Sequence, residues 1–401
     1  MKKISTIIIL TMLFSVLITG CDAESTMDNG TIKNTEQGST GENVEKTDGP
    51  KVTALNEKIN FILKYCVDKS GNENMLYVNE ENQLVLYDLI LEKNIYAYSL
   101  GEGNQSIINS RLLSFNEQGI SLYIETAGKQ NADTDVEGLE VSNIDGNSQK
   151  DKIVCFDSQL NLKETYDLSE IFPEENGMYE YYGMCMSKDA ENLIMYGEET
   201  IYFYSMKSGE RVQIDAEIMD QLQDITIIEM AMSSDGNKIA FLGWELNQDE
   251  KDVYGIIDLS KKAVKKEYTV NSYGNTLHRS GDIVYITDGE IPGKKMATGV
   301  IICINLADDT ILELKVDNLE STTATLLENQ NNMVTVSAVL SEDKNIVGWK
   351  FQLYALNSGE IIRQKEINCA GRLLSLMSSG DKIMAVIYQE DGSYNIYQFD
   401  L

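Results

Sequence analysis

The sequence predicts an all-β fold built from a repeated antiparallel sheet, and two features carry this prediction. Polar turns rich in Gly, Asp and Asn are followed by short runs of Ile, Val, Ala, Phe and Tyr, as in SSDGNKIAFLGWE (233–245) and SSGDKIMAVIYQE (378–390). Two antiparallel strands joined by a tight turn produce this pattern. Helical patterning is nearly absent, and we expect a helical turn or two only within QIDAEIMDQLQD (213–224).

The spacing of the repeats predicts the architecture. A further short apolar strand follows each turn-and-strand unit, and the central triplets of these strands begin 45 to 69 residues apart (354 to 399 and 87 to 156). This is near the period of a four-stranded propeller blade. The sequence therefore predicts a β-propeller of seven four-stranded antiparallel blades. The first residues of the seven central triplets are Tyr87, Phe156, Tyr204, Ile257, Ile304, Tyr354 and Phe399.

The ends of the repeat region predict how the ring closes. The last blade stops after its third strand, at Leu401, while KVTALNE (51–57) precedes the first predicted blade. A propeller closes when one terminus completes the blade of the other, which pairs the free sheet edges. We therefore expect an outer strand of the last blade near 51–57. The predicted blades are 59–100, 107–168, 181–214, 225–270, 274–316, 321–367 and 369–401.

Two other architectures compete with this ring. A pair of β-sandwiches would give many short strands but not a near-constant step. An eighth blade could occupy the longest step, from Tyr87 to Phe156. We prefer an insertion there, because residues 127–150 are polar and have the composition of a loop between strands.

The repeats resemble those of WD40-like and YVTN-type propellers. S-x-D-G precedes a strand at Ser233–Gly236, and IDLS (257–260) and YALNSGE (354–360) stand where that family has W-D-L-x-T-G-K. The resemblance covers most of residues 53–401 and implies the propeller fold for them.

The first 20 residues have the anatomy of a signal peptide. Lys2 and Lys3 precede an apolar run from Ile4 to Ile18, which is short for a membrane span and poorly flanked on its far side. We therefore expect this segment to direct export.

The end of the signal peptide indicates a lipid anchor. Ile18, Thr19, Gly20 and Cys21 resemble the lipobox of bacterial lipoproteins, which implies cleavage before Cys21 and acylation of its thiol. An ordinary secreted protein with a chance cysteine is the alternative. Residues 21–52 are the lipidated cysteine and a polar tether, too poor in apolar side chains to offset the entropy of folding. The predicted location is the outer face of the cell membrane. The chain is rich in Lys, Asn, Ile and Glu, a composition that resembles proteins of Gram-positive bacteria.

Motifs of catalysis are missing from the sequence. It contains no P-loop, no G-x-G-x-x-G and no G-x-S-x-G. The single histidine, His278, has no obvious partners for a zinc site or an acyl-transfer triad. Carboxylate pairs remain open, because 64 acidic residues offer many pairs without distances. We assign no catalytic residue and expect no cofactor, with calcium as the one candidate.

One acidic stretch is a candidate calcium loop. Asp133, Asp135 and Glu137 are spaced carboxylates followed by Gly138, as at the start of a calcium-binding loop. The twelfth position, which should carry a bidentate Glu, is Ile144. A solvated acidic loop is the competing interpretation.

Five cysteines remain after Cys21, an odd number that cannot all pair within one chain. Cys155 and Cys303 occupy equivalent blade positions and should be small buried hydrophobic side chains. Cys66 and Cys369 lie in neighbouring blades and could form a disulfide, although buried free thiols are the leading interpretation. The fifth is Cys185.

The net charge and a group of tyrosines indicate which kinds of partner the protein binds. The net charge of −31 opposes binding to nucleic acid. Tyr179, Tyr181 and Tyr182 approach the start of a predicted inner strand and are a candidate ligand face.

The sequence leaves the oligomeric state open. We expect a membrane-anchored propeller that binds or scaffolds an envelope protein, peptide or glycan. The alternatives are a polysaccharide hydrolase or lyase and a sensing subunit of a receptor or transporter.

Overall fold

The computed structural model confirms the predicted architecture. Its described residues form 28 strands, grouped into seven four-stranded antiparallel sheets. In each sheet the strands are neighbours in sequence order, except in the sheet that contains both ends of the described chain. The structure describes residues 50–68, 70–101, 105–128, 150–172, 181–197, 200–245, 251–270, 276–287, 300–316, 323–327, 331–343 and 345–401.

Within each blade the strands follow one another from the inner to the outer edge of the sheet. Blade 1 contains β2 (Ile59–Val67), β3 (Glu73–Asn79), β4 (Gln83–Asp88) and β5 (Lys93–Ser99). Blade 2 contains β6 (Gln105–Asn116), β7 (Gly119–Gly128), β8 (Lys150–Phe156) and β9 (Leu162–Asp167). Blade 3 contains β10 (Tyr181–Met186), β11 (Asn192–Gly197), β12 (Ile201–Ser205) and β13 (Arg211–Gln213). Blade 4 contains β14 (Ile225–Met232), β15 (Lys238–Glu245), β16 (Lys251–Asp258) and β17 (Ala263–Val270).

The remaining blades follow the same plan. Blade 5 contains β18 (Thr276–Ser280), β19 (Ile283–Thr287), β20 (Val300–Asn305) and β21 (Thr310–Lys315). Blade 6 contains β22 (Thr323–Leu327), β23 (Asn332–Leu340), β24 (Ile346–Ala355) and β25 (Ile361–Ile367). Blade 7 contains β26 (Arg372–Ser379), β27 (Lys382–Tyr388), β28 (Tyr394–Asp400) and, as its outer strand, β1 (Lys51–Leu55).

The ring closes as the sequence predicts. Strand β1 pairs antiparallel with β28 over its whole length, from Lys51 opposite Gln398 to Leu55 opposite Tyr394. Thr53 and Leu55 point inward and are buried, while Val52 is exposed. The alternation of inward and outward side chains fixes the register, because a slip of one residue would expose both buried side chains.

The described residues of the longest repeat step belong to blades 1 and 2, and they form no eighth blade. Strands β7 and β8 pair directly, from Ile120 opposite Phe156 to Thr126 opposite Lys150. Both strands therefore belong to blade 2. The polar segment that the sequence assigns to a loop connects two paired strands of one sheet, and residues 129–149 within it lie outside the described residues.

The hydrophobic core is divided among the interfaces between blades. Among the described residues, buried apolar side chains form seven clusters, and each cluster draws its members from two neighbouring blades. Phe351 and Phe399, for example, meet edge to face across blades 6 and 7 with ring centroids 4.9 Å apart. Each blade is thus held by both of its neighbours.

A hydrogen bond also crosses each of the seven interfaces. Each of the seven bonds pairs a side chain of one blade with a backbone group of a neighbouring blade, which satisfies polar groups that burial would otherwise leave without partners. In ring order they join Asn82 to Ile107, Asn116 to Lys188, Tyr196 to Ile228, Glu229 to Leu277, Tyr285 to Ala324, Ser378 to Leu326 and Ser379 to Val67.

Two short helices follow the outer strands of blades 2 and 3. The sequence predicts α2 (Ala216–Gln221), where the Asp215 carboxylate caps the helix and Ile218 is buried. It misses α1 (Leu168–Ile171), whose single turn is too short to show helical periodicity. Within the described ranges, no helix has the length and apolar character needed to span a membrane.

The closing strand gives a prediction about stability. Leu55→Ala should lower the free energy of unfolding by about 2–4 kcal/mol, because it opens a cavity between blades 7 and 1. Val52→Ala is the matched control on the same strand: its side chain is 48% exposed, so we expect a change within about 0.5 kcal/mol. Urea unfolding measures both, and equal effects of the two substitutions would contradict the packing of β1 into the last blade.

Candidate functional site

A cavity of about 710 Å³ lies at the centre of the ring. All seven inner strands contribute to its wall, and many of the lining residues lie in the later part of these strands, such as 110–115 of β6 and 376–379 of β26. Inner strands run in the same direction around the ring, so side chains at their ends converge on one volume. The cavity is large enough for an organic molecule.

Cations line this cavity in a protein that is otherwise strongly acidic. Lys64, Arg111, Lys188 and Arg279 are lining residues from four different blades. None of the described lining residues is Asp or Glu. The whole chain has a net charge of −31, so the positive lining reverses the sign of its surroundings.

Arg279 reaches across the channel. Its Nε donates to the Gly281 carbonyl oxygen at 2.9 Å, and its Nη1 donates to the Met186 carbonyl oxygen at 3.2 Å. The second bond joins blade 5 to blade 3 past the inner strand of blade 4. Burial lowers the pKa of the guanidinium from its ordinary value, with the charges of Cys185 and Asp282 opposing this effect. An arginine stays protonated in this setting, so a buried positive charge is held in place.

Arg111 is a cavity-lining cation whose side chain is not committed to another described residue. Its side chain is exposed within the cavity lining, and no described acidic side chain forms an ion pair with it. Its charge nevertheless affects the pKa of groups in other blades. It helps to lower the pKa of His278 together with burial, and it opposes the effect of burial on the pKa of Glu229. A guanidinium with its fork of donors unoccupied suits carboxylate and phosphate groups.

Two carboxylates whose charges interact with these cations already accept backbone hydrogen bonds. Glu229 accepts the backbone N–H of Leu277, and burial raises the pKa of its carboxyl group despite that bond and the charge of Arg111. Asp282 accepts the backbone N–H of Ser234 at 2.6 Å. Both carboxylates therefore tie blades 4 and 5 together.

His278 and Tyr285 form a stacked pair beside the cations. Their ring centroids are 5.0 Å apart with planes inclined by 22°. The Nε2 atom of His278 is 3.1 Å from the Thr287 hydroxyl, and the Tyr285 hydroxyl donates to the Ala324 carbonyl oxygen at 3.2 Å. Burial, with the charge of Arg111, lowers the pKa of His278 to about 4, while burial raises the pKa of Tyr285. Near neutral pH the histidine is uncharged and the tyrosine is protonated.

A buried hydroxyl on the cavity wall lacks a partner. Ser110 is 8% exposed, and its Oγ has no hydrogen bond among the described residues. It lies beside Arg111 on β6 and lines the same cavity. Buried hydroxyls in folded proteins are nearly always satisfied by protein or water, so this atom marks a place for an acceptor or donor from outside.

Most of the site residues predicted from sequence lie outside the described residues. This applies to the lipobox and the candidate calcium ligands, and also to Tyr179. Tyr181 and Tyr182 are described by their backbone alone, as the first two residues of β10, so the ligand-face hypothesis stays a prediction. Those outside are Ile18, Thr19, Gly20, Cys21, Asp133, Asp135, Glu137 and Tyr179.

The cationic cavity is the feature that sequence analysis misses. Lys64, Arg111 and Arg279 each interrupt an inner strand that is otherwise rich in apolar or small residues, as in FILKYCV (61–67). An isolated cation at this strand position is the signal that could have found them. In the described parts of the chain, no three His, Cys, Asp or Glu side chains come together as a metal site.

The five described cysteines are all free. Cys66 and Cys369 therefore do not form the disulfide that their place in neighbouring blades would allow. Cys303 is buried as expected, but Cys155 is only half-buried, at the edge of the cluster between blades 2 and 3. Burial raises the pKa of the Cys66 thiol to about 11 and that of Cys185 to about 12. These two thiols are therefore poor nucleophiles near neutral pH.

Comparison with known proteins does not assign the chain to a family. The chain matches no family model, and no curated protein matches it in sequence.

The single histidine gives a pH prediction. The proton resonance of its imidazole needs no assignment, because His278 is the only histidine of the chain. In an NMR titration of untagged protein we expect its midpoint at about pH 4, since burial and Arg111 disfavour the charged ring. A midpoint near 6.5, the ordinary value, would contradict the buried position.

The same shift predicts how stability depends on pH. Between pH 6.5 and about 4 the unfolded chain binds a proton at His278 that the folded chain does not bind. The free energy of unfolding should therefore fall with falling pH across this window, by up to about 3 kcal/mol from this group. His278→Gln should remove that part of the dependence, and identical pH profiles of the variant and the parent protein would contradict it.

Proposed function

We propose that this chain is a lipid-anchored protein on the outer face of the cell membrane, whose β-propeller acts as a binding or scaffold module for an envelope protein, a peptide or a glycan. The central cavity supports the binding function. Polar and cationic groups converge there on a volume of about 710 Å³ to which all seven blades contribute. Blades packed on both sides hold these groups in place before any ligand arrives, which lowers the entropic cost of binding.

The state of the aromatic pair favours binding over catalysis. Tyr285 and His278 are the side chains in the cavity wall best suited to move a proton. The tyrosine hydroxyl is committed to the Ala324 carbonyl, and the imidazole is stacked and placed beside Thr287. A base whose pKa is about 4 is weak for abstracting a proton near neutral pH. Both groups therefore act as structural parts of the wall.

The anchor is proposed from the sequence alone. Cys21 would carry the lipid, residues 21–52 would be the tether, and the propeller would stand off the membrane. The polysaccharide hydrolase or lyase and the receptor or transporter subunit are the rival functions, and crosslinking and cleavage measurements distinguish them from the proposed one.

The lipid anchor is tested by one substitution and its control. Cys21→Ser in the native host should abolish incorporation of labelled fatty acid and leave a precursor with its signal peptide attached, because the acylated thiol is the substrate of cleavage. Cys66→Ser, which changes a cysteine of blade 1, should keep both label and cleavage. Labelling that survives in Cys21→Ser would show that Cys21 is not the anchor.

The binding function is tested by crosslinking in intact cells with the full-length protein as bait. We expect a specific envelope neighbour, or glycan, that is absent when a membrane-anchored unrelated domain replaces the propeller. Mass spectrometry of the crosslinked fractions identifies the neighbour. Recovery of no specific neighbour, together with measurable cleavage of extracellular polysaccharide by the purified protein, would overturn the proposal in favour of the enzyme.

A further inference from the structure

We propose that the central cavity is a site for a small organic oxyanion, with Arg111 binding its carboxylate or phosphate group and Arg279 and Lys188 adding positive charge. This inference deepens the proposed binding function by naming the chemistry of a ligand. It rests on that function only in treating the cavity as a binding surface.

The reversal of charge is the first observation in its support. Acidic residues outnumber basic ones in this chain by 64 to 33, so carboxylates to neutralise a cluster of cations are plentiful. The described cavity lining nevertheless contains four cations and no Asp or Glu. Glu229 and Asp282 offset part of the positive charge of Arg111 and Arg279, but neither lines the cavity. Cations gathered in a partly enclosed volume favour the binding of an anion there.

The geometry of Arg111 is the second observation. Arg279 uses two of its nitrogens on backbone carbonyls, but the side chain of Arg111 has no hydrogen bond or ion pair to another described residue. Glu229 and Asp282, whose charges interact with Arg111 and Arg279, accept backbone N–H groups instead. A free guanidinium can form two parallel hydrogen bonds to a carboxylate or phosphate.

The unpartnered hydroxyl is the third observation and is independent of charge. The Oγ atom of Ser110 is buried, lines the cavity and lacks a hydrogen bond among the described residues. An oxyanion or a ligand hydroxyl in the cavity would supply the missing partner. Ser110 and Arg111 both lie on β6 and both line this cavity.

The rest of the lining indicates that the ligand is more than a bare inorganic ion. Met377 lines the cavity with a half-buried side chain, and Met184, Met186 and Met230 contribute to the wall although they are only 1–3% exposed. Methionine side chains are flexible and polarisable, and they adapt to apolar parts of a ligand. A volume of about 710 Å³ also exceeds what one phosphate fills. A carbon skeleton carrying a carboxylate or phosphate fits these observations.

The test is calorimetric titration of the full-length protein with three probes: galacturonate, galactose and inorganic phosphate. Galacturonate and galactose are matched, since one carries a carboxylate where the other carries a hydroxymethyl group. We expect saturable binding of galacturonate or phosphate and at least tenfold weaker binding of galactose. Binding of galacturonate indicates a carboxylate ligand, and binding of phosphate alone indicates a phosphorylated one.

Variants connect the binding to Arg111. Arg111→Gln should weaken oxyanion binding about tenfold or more, because a charge-assisted bidentate contact is lost. Arg111→Lys keeps the charge without the planar fork, so its affinity for the oxyanion should lie between those of Arg111→Gln and the parent protein. Arg363→Gln is the matched control: it removes one cation from the exposed outer strand of blade 6 and should bind like the parent protein.

The pKa of His278 gives a second measure of anion binding at Arg111, one that a purely structural role of Arg111 would leave unchanged. A bound anion offsets the charge of Arg111, which contributes to the low pKa of this histidine, so saturating oxyanion should raise its NMR titration midpoint above about 4. Absence of binding by both oxyanions, or equal binding by Arg111→Gln and Arg363→Gln, would overturn the inference. Loss of oxyanion binding with an intact crosslinked neighbour would remove only this inference. Oxyanion binding without a specific neighbour, together with cleavage of extracellular polysaccharide, would remove only the proposed function.

Discussion

The pairing of β1 with β28 is the constraint on which the rest of the structure depends. Without it, blade 7 would have three strands and β28 would present an unpaired edge. Five residues that precede the first blade complete a sheet whose other strands come from the end of the chain. The two ends of the domain thereby become neighbours, and the ring becomes closed.

Closure explains where the core and the cavity lie. Each hydrophobic cluster fills the space between two blades, so no blade has a complete core of its own. The inner strands are held by these clusters and by the hydrogen bonds that cross the interfaces. Their ends therefore cannot spread apart to relieve repulsion between Arg111, Arg279 and the lysines. The fold pre-organises a positively charged volume, and an anionic ligand is the natural way to neutralise it.

The sequence predicts the ring well because each blade repeats a local pattern. Polar turns, alternating apolar strands and a near-constant step are visible along the chain, and the missing outer strand follows from counting strands in the last blade. The short helix at Leu168–Ile171 is missed because four residues show no period. The partial exposure of Cys155 is missed because it depends on how blade 2 meets blade 3.

The cavity is beyond sequence analysis for a different reason. Arg111 and Arg279 are 168 positions apart in the chain (279 minus 111) and become neighbours of one volume only after the ring has closed. Each is a single cation in a predicted inner strand, and the sequence does not show that side chains of different blades line one cavity. The overall charge of −31 also conceals them, because a sum over the chain has no information on position.

Hydrogen exchange at β1 tests the closed ring most directly. The amides of Lys51–Leu55 that bond to β28 should exchange as slowly as those of β28, and both sets should be released in one step as blade 7 opens, because the two strands share a ladder of hydrogen bonds. Full exchange of 51–55 at the earliest time point, while β26 and β27 remain protected, would show that the first strand does not close the ring.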